Sequence, residues 1–142
     1  MTQEDKELLL KDLCARIPNH VKVELHGEIC TCLGYFDDFV MLTSNTPLGQ
    51  QTNIANIKPY LRPMSSMTEE ESKEFDVITN GERGFYEDEN GWIRCDNVHT
   101  KWGVWPKGCA EMLDWLNKHH FDYRGLIEKG LSIEAPEGMY EV

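Results

Sequence analysis

The sequence predicts an α+β fold: a small antiparallel sheet, curled or closed as an SH3-like barrel, with a helix before it and helices after it. Three observations lead there. Apolar residues recur at helical spacing between Leu9 and Ile17, alternate with polar ones from Val21, and return to helical spacing after Pro106. With 142 residues, 40% of them hydrophobic, the chain can bury one substantial core, and its length fits one domain better than two. The expected layout is a barrel-like core over about 20–62, a hairpin-containing insert over about 76–105 and a C-terminal helical pair over about 106–131.

Thr2 opens the first helix. Its hydroxyl can cap free backbone N–H groups, and Glu4 and Asp5 oppose the positive end of the helix dipole. Leu9, Leu13 and Ile17 form the apolar stripe, Leu10 and Cys14 widen it, and Lys6, Lys11 and Asp12 fall largely outside. The helix is predicted to run to about Ala15, because Pro18 biases the residue before it away from helical geometry.

From Val21 the period changes. Val21, Val23 and Leu25 point one way and Lys22, Glu24 and His26 the other, which predicts a half-buried strand. His26-Gly27 suits a tight turn, and Glu28–Tyr35 and Phe39–Thr43 supply two further strands around an Asp37-Asp38 turn. Thr46-Pro47-Leu48-Gly49 reads as a loop, and Asn53–Ile57 as a short closing strand before Pro59. Strands this short and this many predict a curled sheet or small barrel.

Pro63 and two serines mark a connection up to Met67. In Thr68-Glu69-Glu70-Glu71 the hydroxyl and the glutamate three residues on match a capping box, so a short second helix begins there and ends near Phe75 or a little after. Thr79-Asn80-Gly81 turns the chain, and Phe85-Tyr86 and Trp92-Ile93 flank Asn90-Gly91 as a hairpin. Pro106 suits the first position of a third helix carrying Cys109, Met112, Leu113 and Leu116 to about Lys118. Asp122 then caps a final short helix that Lys129 and Gly130 end, with Leu131 packing back. Ala135-Pro136-Glu137-Gly138 makes a turn, and the last four residues are expected to be loose.

Acidic residues outnumber basic ones 25 to 14, for a formal net charge of -11. No run of Lys and Arg builds a stripe that could neutralise a phosphate backbone, so direct nucleic-acid binding is not expected. The balance suits a basic protein partner or imitation of a nucleic-acid charge pattern, and equally suits solubility alone. The start of the chain carries no basic segment followed by an apolar core, and nowhere do about 18 apolar residues run unbroken. A cytoplasmic protein without membrane contact is therefore expected. Five cysteines, an odd count, fit reduced thiols there.

The richest constellation is Lys118-His119-His120-Phe121-Asp122-Tyr123-Arg124, at the predicted junction of two helices. Arg124 could fork onto a carboxylate or phosphate, and His119 and His120 could respond to pH, with Tyr123 beside them. The competing reading has Asp122 capping, Phe121 and Tyr123 packed in the core and Arg124 bonded to a carbonyl. Trp92, Trp102, Trp105 and Trp115, joined by Phe85, Tyr86 and Phe121, could form a stacking platform or simply a core. An exposed Trp102 or Trp105 would mark an interface.

Cys30-x-Cys32 on one strand face, with Cys95, His99 and Cys109, could complete a tetrahedral zinc site; isolated partners instead of turn knuckles favour buried thiols, and no metal or cofactor is predicted. Nothing selects a cysteine–histidine pair among Cys95, Cys109, His99, His119 and His120, so catalysis is not expected. Glu87-Asp88-Glu89-Asn90-Gly91 lacks the spacing of a calcium loop, and no phosphate-binding glycine loop, zinc-protease helix or nucleophile elbow occurs.

Two stretches, from Asn56-Ile57-Lys58-Pro59-Tyr60-Leu61-Arg62-Pro63 through Thr68-Glu69-Glu70 and from Asp114-Trp115-Leu116-Asn117 through His119-His120-Phe121-Asp122-Tyr123-Arg124-Gly125-Leu126-Ile127, resemble small uncharacterised proteins of phages and prophages of gut anaerobic bacteria. The resemblance implies an accessory role of a phage or mobile element inside a bacterial cell and transfers no site residue. The expected function is non-enzymatic binding of a host protein, in counter-defence, through an acidic and aromatic surface that includes His119, His120, Tyr123, Arg124, Trp102 and Trp105. Two alternatives stand beside it: sequestration of a small nucleotide ligand by Arg124, the histidines and a tryptophan, and a zinc-stabilised structural module.

Overall fold

Thr2 and Asp5 start the first helix reciprocally. The Thr2 hydroxyl accepts from the Asp5 N–H at 3.1 Å and the Thr2 N–H donates to the Asp5 carboxylate at 3.3 Å. The helix, α1 (Gln3–Arg16), buries Leu9 and Leu13 completely. It also buries Asp12 and Arg16 completely, where the stripe of apolar residues had placed Asp12 outside. The reason is pairing: four residues apart, they share one face, and Arg16 Nε and Nη2 donate to the two Asp12 oxygens at 2.8 and 3.1 Å. Pro18 then sits in a 3-10 turn, Ile17–Asn19, and His20 reverses the chain with φ 58°.

The computed structural model describes residues 1–37, 39–44, 49–78, 85–87, 93–95 and 106–140, and for 76–78, 85–87, 93–95 and 106–110 the backbone path alone. The chain divides into two compact units, Met1–Leu61 with Leu126–Val142, and Arg62–Gly125. The architecture is α+β. In the first unit a six-stranded, mostly antiparallel open sheet comprises β1 (Lys22–Leu25), β2 (Glu28–Phe36), β3 (Phe39–Leu42), β4 (Gln50–Asn53), β5 (Lys58–Leu61) and a late strand, Ile133–Glu134, in the order β4-β3-β2-β1-β5 with the late strand last.

The β1–β2 turn falls on His26 and Gly27, both at positive φ (50° and 83°), as a type I′ hairpin needs. Between β2 and β3 the register shifts, Cys32 facing Leu42 and Gly34 facing Met41, so Leu33 is the extra residue of a bulge. The loop predicted at Thr46–Leu48 lies outside the described residues.

The closing strand lies elsewhere than expected. Asn53–Ile57 is mostly a 3-10 turn, Ile54–Asn56, capped by the Asn53 side chain, and the strands are β4 before it and β5 after it. Pro59 is inside β5, opposite Val23; the late strand pairs only with Tyr60 and Leu61, so Pro59 stays on an edge on that side.

The short connection bends the sheet. Four strand spacings separate β4 from β5, about 19 Å if the sheet were flat. The 3-10 turn and Ile57 span only roughly 13 Å at ordinary rises per residue. The sheet must therefore curl, and the bulge at Leu33 adds twist in the same strand. Inside the curl lie Val21, Val23, Leu25, Cys30, Cys32, Val40, Leu42, Ile54, Ile57 and Leu61, packed with Leu9 and Leu13 of α1.

The late strand was not predicted, because two residues are too few to show a period. Nor is the chain end loose up to Tyr140. The Tyr140 hydroxyl accepts from the Lys22 N–H at 2.9 Å and donates to the Tyr60 carbonyl at 2.8 Å.

In the second unit the short 3-10 turn Met64–Ser66 leads to α2 (Glu69–Ile78), whose predicted box is formed: the Thr68 hydroxyl accepts from Glu71 N at 3.1 Å and Thr68 N donates to Glu71 Oε1 at 3.0 Å. β6 (Phe85–Glu87) and β7 (Ile93–Cys95) pair antiparallel as the expected hairpin, its Asn90-Gly91 tip and the turn at Thr79-Asn80-Gly81 lying outside the described residues. α3 (Pro106–Lys118) begins at the predicted proline.

The predicted helical pair is half right. Among the described residues no helix follows α3: His120 takes φ 61°, and Phe121 and Asp122 run beside Arg62, with Arg62 N donating to His120 O and Asp122 N to Arg62 O, each at 2.8 Å. Beyond that bridge Tyr123 N turns back to Phe121 O at 3.1 Å, and no helix starts at Asp122. Only the predicted helix ending survives, without its helix: Gly130 N bonds Ile127 O and Leu131 N bonds Leu126 O, a Schellman pair with Gly130 at φ 75°. The late strand of the first unit, β8 (Ile133–Glu134), then runs parallel to β5.

Candidate functional site

The segment with the most functional residue types folds around a core of aromatic rings. Trp115 stacks on Phe75 at 5.1 Å and on Phe121 at 5.7 Å between ring centroids, and His119 lies 4.3 Å from Trp115. Arg62 places its guanidinium 4.3 Å from the Phe121 ring centre and forks onto Glu71 at 2.7 and 2.8 Å. His119 Nδ1 approaches the same carboxylate at 3.6 Å. Sequence reasoning found His119 but missed Arg62 and Glu71 as its partners: Glu71 was legible only as a cap.

The electrostatics follow from this geometry. The hydrogen bonds from Arg62, opposed by burial and helped by Thr68, hold the Glu71 carboxyl down to about 2. Burial lowers His119, and the Glu71 and Glu74 carboxylates work against that shift. A half-buried imidazole lying on an indole face acts here as a packing element.

The other predicted residues separate. His120 is buried, 3% exposed, and turns the chain. The Tyr123 hydroxyl donates to Asn117 Oδ1 at 2.8 Å, and the Arg124 guanidinium sits 5.1 Å from the Tyr123 ring and bonds its hydroxyl at 3.5 Å. His119, Tyr123 and Arg124 thus each pack on an aromatic or amide neighbour within the second unit. Trp102, Trp105, Trp92 and His99 lie outside the described residues, as do the side chains of Cys95 and Cys109.

Cys30 and Cys32 share the inner face of β2, as predicted, and are buried. Burial raises both thiols, Cys32 to about 11. Among the described residues no group of three or more His, Cys, Asp and Glu side chains could hold a metal ion.

A different surface emerges on the outer face of β2 and β3. Val40, Leu42 and Tyr35 point inward, so their neighbours point out: Ile29, Leu33 and Phe36 on β2, Phe39 and Met41 on β3. All five are exposed, Phe36 by 76%. Phe36 faces Phe39 directly across the ladder, and Met41 faces Gly34, where a Cβ would meet nothing within 4 Å. Side chains of this size at about half exposure present several hundred Å² of apolar surface, as much as the largest patch an ordinary monomer carries.

Sequence reasoning read β2 and β3 as strands without assigning their faces, and so missed this one. The signal was present. Phe39-Val40-Met41-Leu42 is apolar at every position, and a strand with one solvated face should alternate.

No helix among the described residues is long and apolar enough to cross a membrane. Comparison of the chain with protein-family models, with curated proteins and with solved structures finds no match.

Proposed function

We propose that the chain acts by binding another protein and performs no chemistry of its own. In this reading it is an accessory protein of a phage or mobile element, works in the bacterial cytoplasm and engages a host protein through the outer face of β2 and β3. The observation that carries the reading is the run of five large apolar side chains on that face, anchored by the Phe36–Phe39 pair. Exposed aromatic pairs on a rigid sheet supply contact area at little cost in side-chain entropy. The curled sheet, with β5 returning to β1 after a four-strand meander, supports the finer description as a partly opened SH3-like barrel.

Quantitative crosslinking of the wild type and of the Phe36→Ser/Phe39→Ser variant in host lysate tests this function. The expected result is a protein crosslinked by the wild type and lost from the variant. Identical crosslinked sets would remove the face from the argument.

A further inference from the structure

We infer that the partner of the β2–β3 face is cationic, a protein segment presenting apolar side chains flanked by Lys or Arg. This rests on the proposed binding role and adds the chemistry of the partner. Two carboxylates border the apolar patch. Glu24 lies directly across the β1–β2 ladder from Ile29, and Asp37 follows Phe36 at the hairpin end. Two lysines share that face: Lys22, opposite Thr31, donates its ammonium to the Met139 carbonyl at 3.3 Å, and Lys58 sits on β5 opposite Glu24.

Covering the patch with a neutral apolar surface would strip water from the bordering carboxylates, leaving Glu24 its bond from the Gly27 N–H at 2.7 Å and adding no partner to either. A Lys or Arg at each end of the docking segment restores a partner to each. The chain's net charge of -11 acts in the same direction at longer range. It draws cationic partners in and sets two copies of this chain against each other, so a second copy is the poorer occupant.

Fluorescence anisotropy with three labelled heptapeptides tests the inference on the full-length protein: alternating Leu and Lys, alternating Leu and Glu, and alternating Ser and Lys. The Leu/Lys peptide should bind at least ten-fold more tightly than either control. Phe36→Ser/Phe39→Ser should weaken it at least ten-fold, and Glu24→Gln/Asp37→Asn should weaken it and flatten its salt dependence, with circular dichroism and melting temperature of each variant unchanged.

Equal binding of Leu/Lys and Leu/Glu peptides, still lost in the serine variant, would overturn the cationic partner and leave the binding face standing. Binding unaffected by the serine substitutions, or matched by the Ser/Lys peptide, would overturn both. Sedimentation velocity closes the remaining route: a wild-type dimer that the serine variant abolishes would assign the face to a second copy and overturn the inference.

Discussion

Arg62 and Glu71 close a two-bond fork, at 2.7 and 2.8 Å, that ties the start of the second unit to the first turn of α2. The same carboxylate caps Thr68 and faces His119, so three segments of that unit meet on one side chain.

That carboxylate makes the fold acid-sensitive. Its folded value is about 2 against an ordinary 4.5, so its contribution is complete above about pH 5 and fades as pH falls toward 2. Integrated, the shift is worth on the order of 2–3 kcal/mol at neutral pH. Glu71→Gln should lower stability at pH 7 by roughly that amount and flatten the stability profile between pH 5 and 2. Chemical denaturation across that range measures both.

Asp12 and Arg16 are wholly buried together, and removing one leaves the other's charge in the core. Asp12→Ala is expected to cost about 3–5 kcal/mol. Asp12→Leu/Arg16→Met, which removes both charges, should cost less than Asp12→Ala alone. A double-mutant cycle by urea denaturation compares them.

Tyr140 fastens the chain end to β1 and β5 through one hydroxyl. Tyr140→Phe leaves the Lys22 N–H without that acceptor and should cost about 1–3 kcal/mol. Amide exchange at Lys22 should accelerate. Burial raises the phenol to about 12, so its contribution is complete below pH 10 and is lost as pH rises from 10 to 12. The wild type should therefore lose stability over that interval more steeply than the phenylalanine variant.

Cys14 is exposed while Cys30 and Cys32 are buried, with Cys32 held near 11. Iodoacetamide at pH 8 should modify Cys14 at least ten-fold faster than either of the other two, because the thiolate is the nucleophile and must be reachable. Time-resolved peptide mapping by mass spectrometry reads each site separately. Rapid modification of Cys32 would show that the inner face of β2 opens in solution.

Local signals carried much of the fold. Thr2, Thr68 and Pro106 marked their helix starts because capping and proline geometry depend only on neighbours in the chain. β1 was legible from alternation, and β2 and β3 from the turns at His26-Gly27 and Asp37-Asp38. β4 was misplaced because Gln50-Gln51-Thr52-Asn53 buries none of its residues and so shows no pattern. Where a helix was expected from Asp122, Phe121 instead bridges Arg62, a partner far away in the chain that no local signal could reveal.

The candidate site was less legible than the fold. Titratable groups drew attention to His119–Arg124, where packing against Trp115, Asn117 and Tyr123 occupies them. The β2–β3 face carries no titratable group at its centre. It is defined by which side of a strand each residue takes, and a continuous apolar run conceals that until the register is known.

β5 and β8 are neighbours in the sheet, yet residues 62–132 separate them along the chain. On a ribosome, β5 therefore emerges before the strand that will cover it, and for about 4–14 s, at 5–20 residues per second, that edge has no β8. An uncovered edge templates pairing with other chains. Slowing translation across residues 62–132 should raise the aggregated fraction of newly made protein, and a chaperone that covers strand edges should lower it.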